Sequence, residues 1–212
     1  MGGDAGRGGP DGAPRPQRIA MFGGTFDPPH VGHLAVAQDV HEALGLDRVL
    51  FVPAARPPHK VDAGITDAEV RFRMVEAAVG DDPRFGVSDL ELEREGPSFT
   101  VDTLRALRDR DPNGELFLLL GADQWADFGS WREPETILKL ATPILMGRNG
   151  DGPGEVDPGL PPEVSPSPRH VRVTRMDLSS TELRRRVREG RPIRYLVPDE
   201  VRRIIESEKL YL

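Results

Sequence analysis

The sequence predicts a single-domain α/β fold built on an open, doubly wound parallel sheet. Short apolar runs bounded by Gly or Pro alternate with segments whose apolar residues recur every three to four positions, which is the rhythm of β-α-β crossovers. One run, Leu116-Phe117-Leu118-Leu119-Leu120, is apolar at every position, as suits a strand buried on both faces. The connections that should follow the strands carry Gly, His, Asp and Ser, and such sheets bind ligands beyond the carboxyl ends of their strands, at the switch in strand order.

Taken in order, residues 1–17 contain six Gly and three Pro and no large apolar residue beyond Met1, so they are expected to be a disordered tail outside a domain spanning 18–212. Residues 18–22 form the first predicted strand, ended by Gly23-Gly24. Leu34, Ala37, Val40, His41 and Leu44 share one face of a helix over Val31–Leu44, and Gly45 is placed to end it. Residues 49–52 give a buried strand. Thr66 is expected to cap the next helix in a box with Glu69, with Val70, Met74 and Ala77 on its apolar face.

Residues 85–92 read as extended, 100–108 as a helix through Val101, Leu104 and Leu107, 116–120 as a strand, 133–140 as a helix and 143–146 as a strand. Residues 148–169 are rich in Pro and Gly without periodicity and are expected to be a long surface loop. A strand over 171–173, a Ser-capped helix over 180–189 closed by Gly190, and a final helix over Asp199–Ser207 complete a C-terminal helical extension.

The 212 residues include 28 Lys+Arg, 35 Asp+Glu and no Cys, for a net charge of −7. Disulfides, thiolate zinc sites and a cysteine nucleophile are excluded. The acidic balance argues against general nucleic-acid binding, which needs clustered cations, but leaves room for a small anion in a local basic pocket. No apolar run approaches the roughly 18 residues of a membrane span, so a soluble, cytoplasmic protein without a membrane partner is expected.

The loop Gly23-Gly24-Thr25-Phe26-Asp27-Pro28-Pro29-His30-Val31-Gly32-His33 carries the strongest chemical signal. Adjacent glycines let a phosphate approach the backbone, and the helix that follows offers free N–H groups to an anion. His30 and His33, three apart at a helix start, can converge on one phosphate, with Gly32 leaving room between them. Imidazole N–H donors there would stabilise charge as phosphorus becomes five-coordinate. A metal site is the other reading of this pair, though no third ligand is close in sequence.

This loop resembles the HxGH signature of the nucleotidyltransferase superfamily, and in particular the bacterial nicotinate-mononucleotide adenylyltransferases. Four further segments agree in order: Pro57-Pro58-His59-Lys60, the stretch from Gly96 through Ser98-Phe99-Thr100 to Leu104, Leu120-Gly121-Ala122-Asp123 with Trp131 downstream, and Leu178-Ser179-Ser180-Thr181-Glu182-Leu183-Arg184. The resemblance covers residues 18–212 apart from the Pro-rich loop. It implies a Rossmann-like fold and adenylyl transfer from ATP to nicotinate mononucleotide, giving deamido-NAD and pyrophosphate. No covalent intermediate is implied, and Mg²⁺ would be held through the substrate phosphates.

The resemblance also implies roles. His30, His33, Lys60 and Arg184 would act on the phosphates. Gly23, Gly24, Thr25, Phe26, Gly121, Asp123, Ser179, Ser180 and Thr181 would line the ATP and dinucleotide path. Ser98, Phe99 and Thr100 would meet the nicotinate carboxylate, chiefly through main-chain N–H groups, and Trp131 would stack on the pyridine, with Trp125 as a rival platform. The family most often has Tyr where this chain has Phe99. Such donors favour a carboxylate over a neutral amide.

Outside these motifs, His41 is expected to be a packed histidine and His59 a candidate contact to the mononucleotide, while His170 has no role. Glu91 with Glu93 and Asp81 with Asp82 are read as strand alternation and a solvated turn. Asp127 is read as a helix-surface charge, and Arg185, Arg186 and Arg188 are assigned to solvent or to weak phosphate steering. The competing functions are an adenylyltransferase for nicotinamide mononucleotide or phosphopantetheine, and a nucleotide-binding module without turnover. The sequence leaves oligomeric state open, a homo-oligomer being allowed.

Overall fold

The computed structural model of the chain describes residues 15–57, 64–147, 157–161, 164 and 168–212. Six parallel strands, β1 (Arg18–Gly24), β2 (Arg48–Pro53), β3 (Phe85–Val87), β4 (Glu115–Leu120), β5 (Thr142–Gly147) and β6 (Arg169–Arg172), form one open sheet in the order β3-β2-β1-β4-β5-β6. The order reverses between β1 and β4, the switch point at which doubly wound Rossmann-like sheets open a crevice. The predicted fold class is what the chain adopts.

Alternation along the strands sorts the core into two layers. Ala20 and Phe22 of β1, with Phe117 and Leu119 of β4, face helix α1 (Val31–Leu44) and part of α2 (Ala68–Val79). Met21, Leu116, Leu118 and Leu120 face the opposite layer, made by α3 (Thr100–Arg110), the short α4 (Ala122–Ala126), a single 3-10 turn (Phe128–Ser130) and α5 (Pro134–Leu140). Because consecutive strand residues point to opposite faces, an all-apolar β4 feeds both layers at once. A third cluster joins Met74 of α2 to Leu183, Val201 and Ile205, so α6 (Ser180–Arg188) and α7 (Asp199–Ser207) pack as a C-terminal extension against α2.

Local signals acted largely as expected. Gly45 ends α1 in the left-handed region at φ 57°, where a Cβ is penalised, and the Ser179 hydroxyl accepts the Glu182 N–H to cap α6. Four readings are corrected. The cap of α2 is Asp67, whose carboxylate accepts the Glu69 N–H, and not Thr66, whose own N–H donates to Asp27. The strand begun at Phe85 stops at Val87: the Ser88 N–H makes the last bond to β2, at the Phe51 carbonyl, and the chain then turns through 89–94. The connection between the predicted strand at 116–120 and the predicted helix at 133–140 holds helical structure of its own, α4 and the 3-10 turn. The last strand is Arg169–Arg172 and not 171–173.

At the ends of the segments expected to lack structure, Arg15 pairs with Asp47 at 2.5 and 2.8 Å and the Gln17 carbonyl accepts the Glu115 N–H. Residues 1–14 and most of 148–167 lie outside the described residues. Where the Pro-rich segment is described, the Pro158 carbonyl accepts the Gly129 N–H at 2.7 Å and Leu160 packs on the layer that holds Trp125 and Phe128.

Candidate active site

The loop from β1 to α1 is built around two imidazoles. The rings of His30 and His33 stack with centroids 3.7 Å apart and planes 23° from parallel. The His30 backbone N–H donates to His33 Nδ1 at 3.2 Å, which fixes the proton of a neutral His33 on Nε2. Gly32 leaves the space this requires, since a Cβ there would sit 3.0 Å from His30 Nδ1. Burial lowers the pKa of His30 to about 4, and burial with His30 as neighbour lowers that of His33 to about 3. Both rings are therefore neutral donors at physiological pH.

Phe26 holds the loop from below. Its ring is buried edge-on against Phe22 and His33, and a Cβ at Gly24 would meet that ring at 2.8 Å. The Phe26 side chain belongs to the core, which leaves only its backbone for the contact expected of it. Gly23 and Gly24 lie within β1 and pair with β2, where the Gly24 carbonyl accepts the Ala54 N–H.

Distant elements clamp the same loop. The Asp27 carboxylate, 3% exposed, accepts the Tyr211 hydroxyl at 2.7 Å and the Thr66 N–H at 3.3 Å. Arg184 Nη1 donates to the Asp27 carbonyl at 2.7 Å, the Ser180 hydroxyl donates to the Pro28 carbonyl at 2.9 Å, and the Val31 N–H reaches the Leu196 carbonyl. Arg71, 1% exposed, donates to the carbonyls of Thr25, Ala55 and Thr66, tying together the loops that follow β1 and β2. Asp27, Arg71 and Tyr211 were given no role by the sequence reading. Only Arg71 left a trace there, as a cation one turn before Met74 and Val75 on an otherwise apolar face.

A cavity of about 810 Å³ opens at the carboxyl edge of the sheet beside this loop. His30, His33, Gly121, Asp123, Ser179 and Ser180 all line it, so the structure gathers residues spread over 150 positions of the chain into one site. Its far wall, from Met146 and Gly147 through Val173 to Met176, was not singled out in the sequence because nothing there marks chemistry. Gly121 N-caps α4 and Asp123 sits in its exposed first turn. Thr181 and Arg184 do not line the cavity; Arg184 Nη2 contacts the Thr181 hydroxyl at 3.3 Å at the start of α6.

The predicted pyridine end is a separate group. Phe99 N-caps α3, so the first N–H groups of that helix are available to an anion. Ser98 is committed elsewhere: its N–H donates to the Arg56 carbonyl and its hydroxyl accepts the Arg56 N–H. Trp131 is half-buried with its ring 5.5 Å from Phe128, whereas Trp125 is 3% exposed and packed in the core, which removes it as a platform. Arg132 lies over the Phe99 ring at 4.7 Å. Glu91 belongs to a turn and not to a strand; it is buried, accepts the Thr103 hydroxyl at 2.7 Å, and burial raises its pKa. Lys60 and His59 lie outside the described residues. Asp82 keeps its solvated turn by pairing with Arg84.

Residues 21–186 match the cytidylyltransferase-like family model. A protein of Thermus thermophilus named "Probable nicotinate-nucleotide adenylyltransferase" is 49% identical over 195 residues, covering 92% of this chain and 99% of that one. One of the same name from Desulfitobacterium hafniense is 43% identical over 199 residues, covering 92% and 96%. Among solved structures, Plasmodium falciparum nicotinic acid mononucleotide adenylyltransferase complexed with NaAD superposes with a TM-score of 0.73 at 20% identity, covering 92% of this chain and 97% of that one.

Proposed function

The chain belongs to the cytidylyltransferase-like family, and from that premise we propose that it transfers the adenylyl group of ATP to nicotinate mononucleotide in NAD biosynthesis. A phosphate oxygen of the mononucleotide forms a bond to the α-phosphorus of ATP, the bond from that phosphorus to the bridging oxygen breaks, and pyrophosphate leaves with the electron pair. The products are nicotinate adenine dinucleotide and pyrophosphate.

The observation that carries this reading is the stacked His30–His33 pair, held neutral and opening on the cavity beside the N-terminus of α6. Such a reaction needs positioning and charge stabilisation more than it needs a side-chain nucleophile. His33 Nε2–H is a fixed donor to a phosphate oxygen, and the N-terminus of α6, carrying Ser179, Ser180 and Thr181, adds oriented N–H groups and a helix dipole. Arg184, at the start of the same helix, contributes charge next to the loop. Lys60 is assigned to the phosphates by resemblance.

Mg²⁺ is the proposed metal. Among the described residues no three His, Asp or Glu side chains converge on one point, and the Asp27 carboxylate is already engaged by Tyr211 and Thr66. That donor set suits a cation carried by phosphate oxygens and water. When bound, it would neutralise charge on the triphosphate and on departing pyrophosphate. Asp123, on the cavity wall, is assigned to a ribose hydroxyl by resemblance.

At the pyridine end, the N-terminus of α3 favours a carboxylate, and Trp131 offers a ring face. No helix among the described residues is long and apolar enough to cross a membrane; a cytoplasmic location is part of the proposed reading. Pyrophosphate release with Mg²⁺ and ATP, comparing nicotinate mononucleotide with its amide, tests the proposal. We expect kcat/KM at least about tenfold higher for the acid, equivalent to about 1.4 kcal/mol; equal values would remove the carboxylate argument, and no release with either substrate would reject the activity.

A further inference from the structure

The last residues of the chain reach the loop that carries the histidines. After α7 the backbone turns back through Lys209 and Tyr211, both with positive φ, at 52° and 66°. Side chains other than glycine rarely adopt that conformation unless surrounding contacts hold it. The Leu210 N–H donates to the Ile205 carbonyl, and the Tyr211 ring packs on the cluster shared by α2, α6 and α7. The result of this reversal is that the Tyr211 hydroxyl lies 2.7 Å from Asp27 Oδ1, 184 positions earlier.

Asp27 is a buried carboxylate that the proposed chemistry does not use. Its charged or titratable neighbours are Arg71 from α2, Arg184 from α6 and the neutral phenol of Tyr211. Arg71 is spent on three carbonyls and Arg184 donates to the Asp27 main chain, so among the described residues the carboxylate takes its hydrogen bonds from the Tyr211 hydroxyl and the Thr66 N–H. Burial and the adjacent carboxylate raise the Tyr211 pKa, which keeps its hydroxyl a donor throughout the working pH range. Three residues on from Asp27 stands His30, and the peptide between them is tied down at the Asp27 and Pro28 carbonyls.

We propose that Tyr211 is a positioning residue: by holding the buried Asp27 carboxylate it sets the path of residues 27–30 and with it the placement of the His30–His33 pair against the phosphates. The turn that follows α7 is therefore a working part of the loop that carries the histidines. The inference rests on the adenylyl-transfer reading for its kinetic consequence, but its geometric claim is measurable without turnover.

The experiment compares wild type, Tyr211→Phe, Asp27→Asn, the double variant and a chain lacking only Leu212, whose side chain is 82% exposed. Thermal melting, steady-state pyrophosphate release and NMR titration of the histidine Cε1–H resonances are followed on each. For Tyr211→Phe we expect a cooperative melt close to wild type, a kcat lower by about tenfold or more with both KM values within about twofold, as a displaced catalytic group produces, and a rise in the titration of His30 or His33 from about 4 or about 3 toward 6.5. The double variant should lose less kcat than the product of the single losses, because both substitutions break one contact, and removal of Leu212 should change nothing. Wild-type kcat in Tyr211→Phe, or a kcat loss with unmoved histidine titrations, overturns the proposal. If wild type itself releases no pyrophosphate, the activity reading fails, and the histidine titrations alone then uphold or overturn the positioning role.

Discussion

His33 Nδ1 accepts the backbone N–H of His30 at 3.2 Å, and this one bond decides which nitrogen of His33 faces the cavity as a donor. His33→Asn keeps an acceptor at the Nδ1 position and removes the Nε2 donor. We expect kcat to fall by about 10²–10³, the range found when a donor to a developing charge is removed, with a melting temperature within a few degrees of wild type. Steady-state pyrophosphate release alongside thermal melting checks this; undiminished kcat would remove His33 from the phosphates.

The two imidazoles make stability depend on pH. Their pKa values are depressed in the folded state, to about 4 and about 3, so the unfolded chain binds more protons below about pH 6.5 and stability falls as pH falls. Each group contributes up to about 1.4 kcal/mol per pH unit over that window. Urea unfolding of wild type should therefore lose on the order of 2–4 kcal/mol between pH 6.5 and 5, and a His30→Gln, His33→Gln double variant should show a visibly shallower slope. Activity should show no histidine limb near pH 6.5, since both rings stay neutral well below it.

Arg71 is a structural centre of the site. Its guanidinium satisfies the carbonyls of Thr25, Ala55 and Thr66 from a fully buried position. Arg71→Met removes the donor that three carbonyls share and a cation that interacts with Asp27, at an expected cost of about 3–5 kcal/mol. Arg71→Lys should recover little of it, because one ammonium cannot reproduce the planar fork. Denaturant melts of the two variants decide the matter.

The two tryptophans should separate cleanly. Trp125→Ala opens a cavity in the layer under β4 and is expected to cost about 3–5 kcal/mol, with KM values unchanged in the protein that remains folded. Trp131→Ala removes a half-buried ring and is expected to raise the KM for the mononucleotide with a small loss of stability. A reversed pattern in melts and kinetics would exchange their assignments.

Much of the site could be read from the chain because its signals are local. The His30-Val31-Gly32-His33 spacing, the Gly121 to Asp123 turn after β4 and the Ser179 cap each announce a strand-to-helix junction within a few residues, and parallel connectivity sends such junctions to one edge of the sheet. Boundaries and caps were less secure where two neighbouring residues can do the same work. Thr66 and Asp67 both suit an N-cap, and what assigns the cap to Asp67 is the bond that its carboxylate accepts from the Glu69 N–H.

By itself, then, the sequence determined the α/β class, the order of its main elements and the pairing of His30 with His33 at a helix start, since periodicity, turn residues and caps act over one or two turns of chain. The tertiary structure alone decided what holds that loop: Arg71 across from α2, Ser180 and Arg184 from α6, and Tyr211 from the C-terminus. It likewise placed Trp125 in the core and committed Ser98 to Arg56. Those contacts join residues up to 184 positions apart. No periodicity encodes such a pairing; it exists only where packing brings a buried charge and its donors within hydrogen-bonding distance.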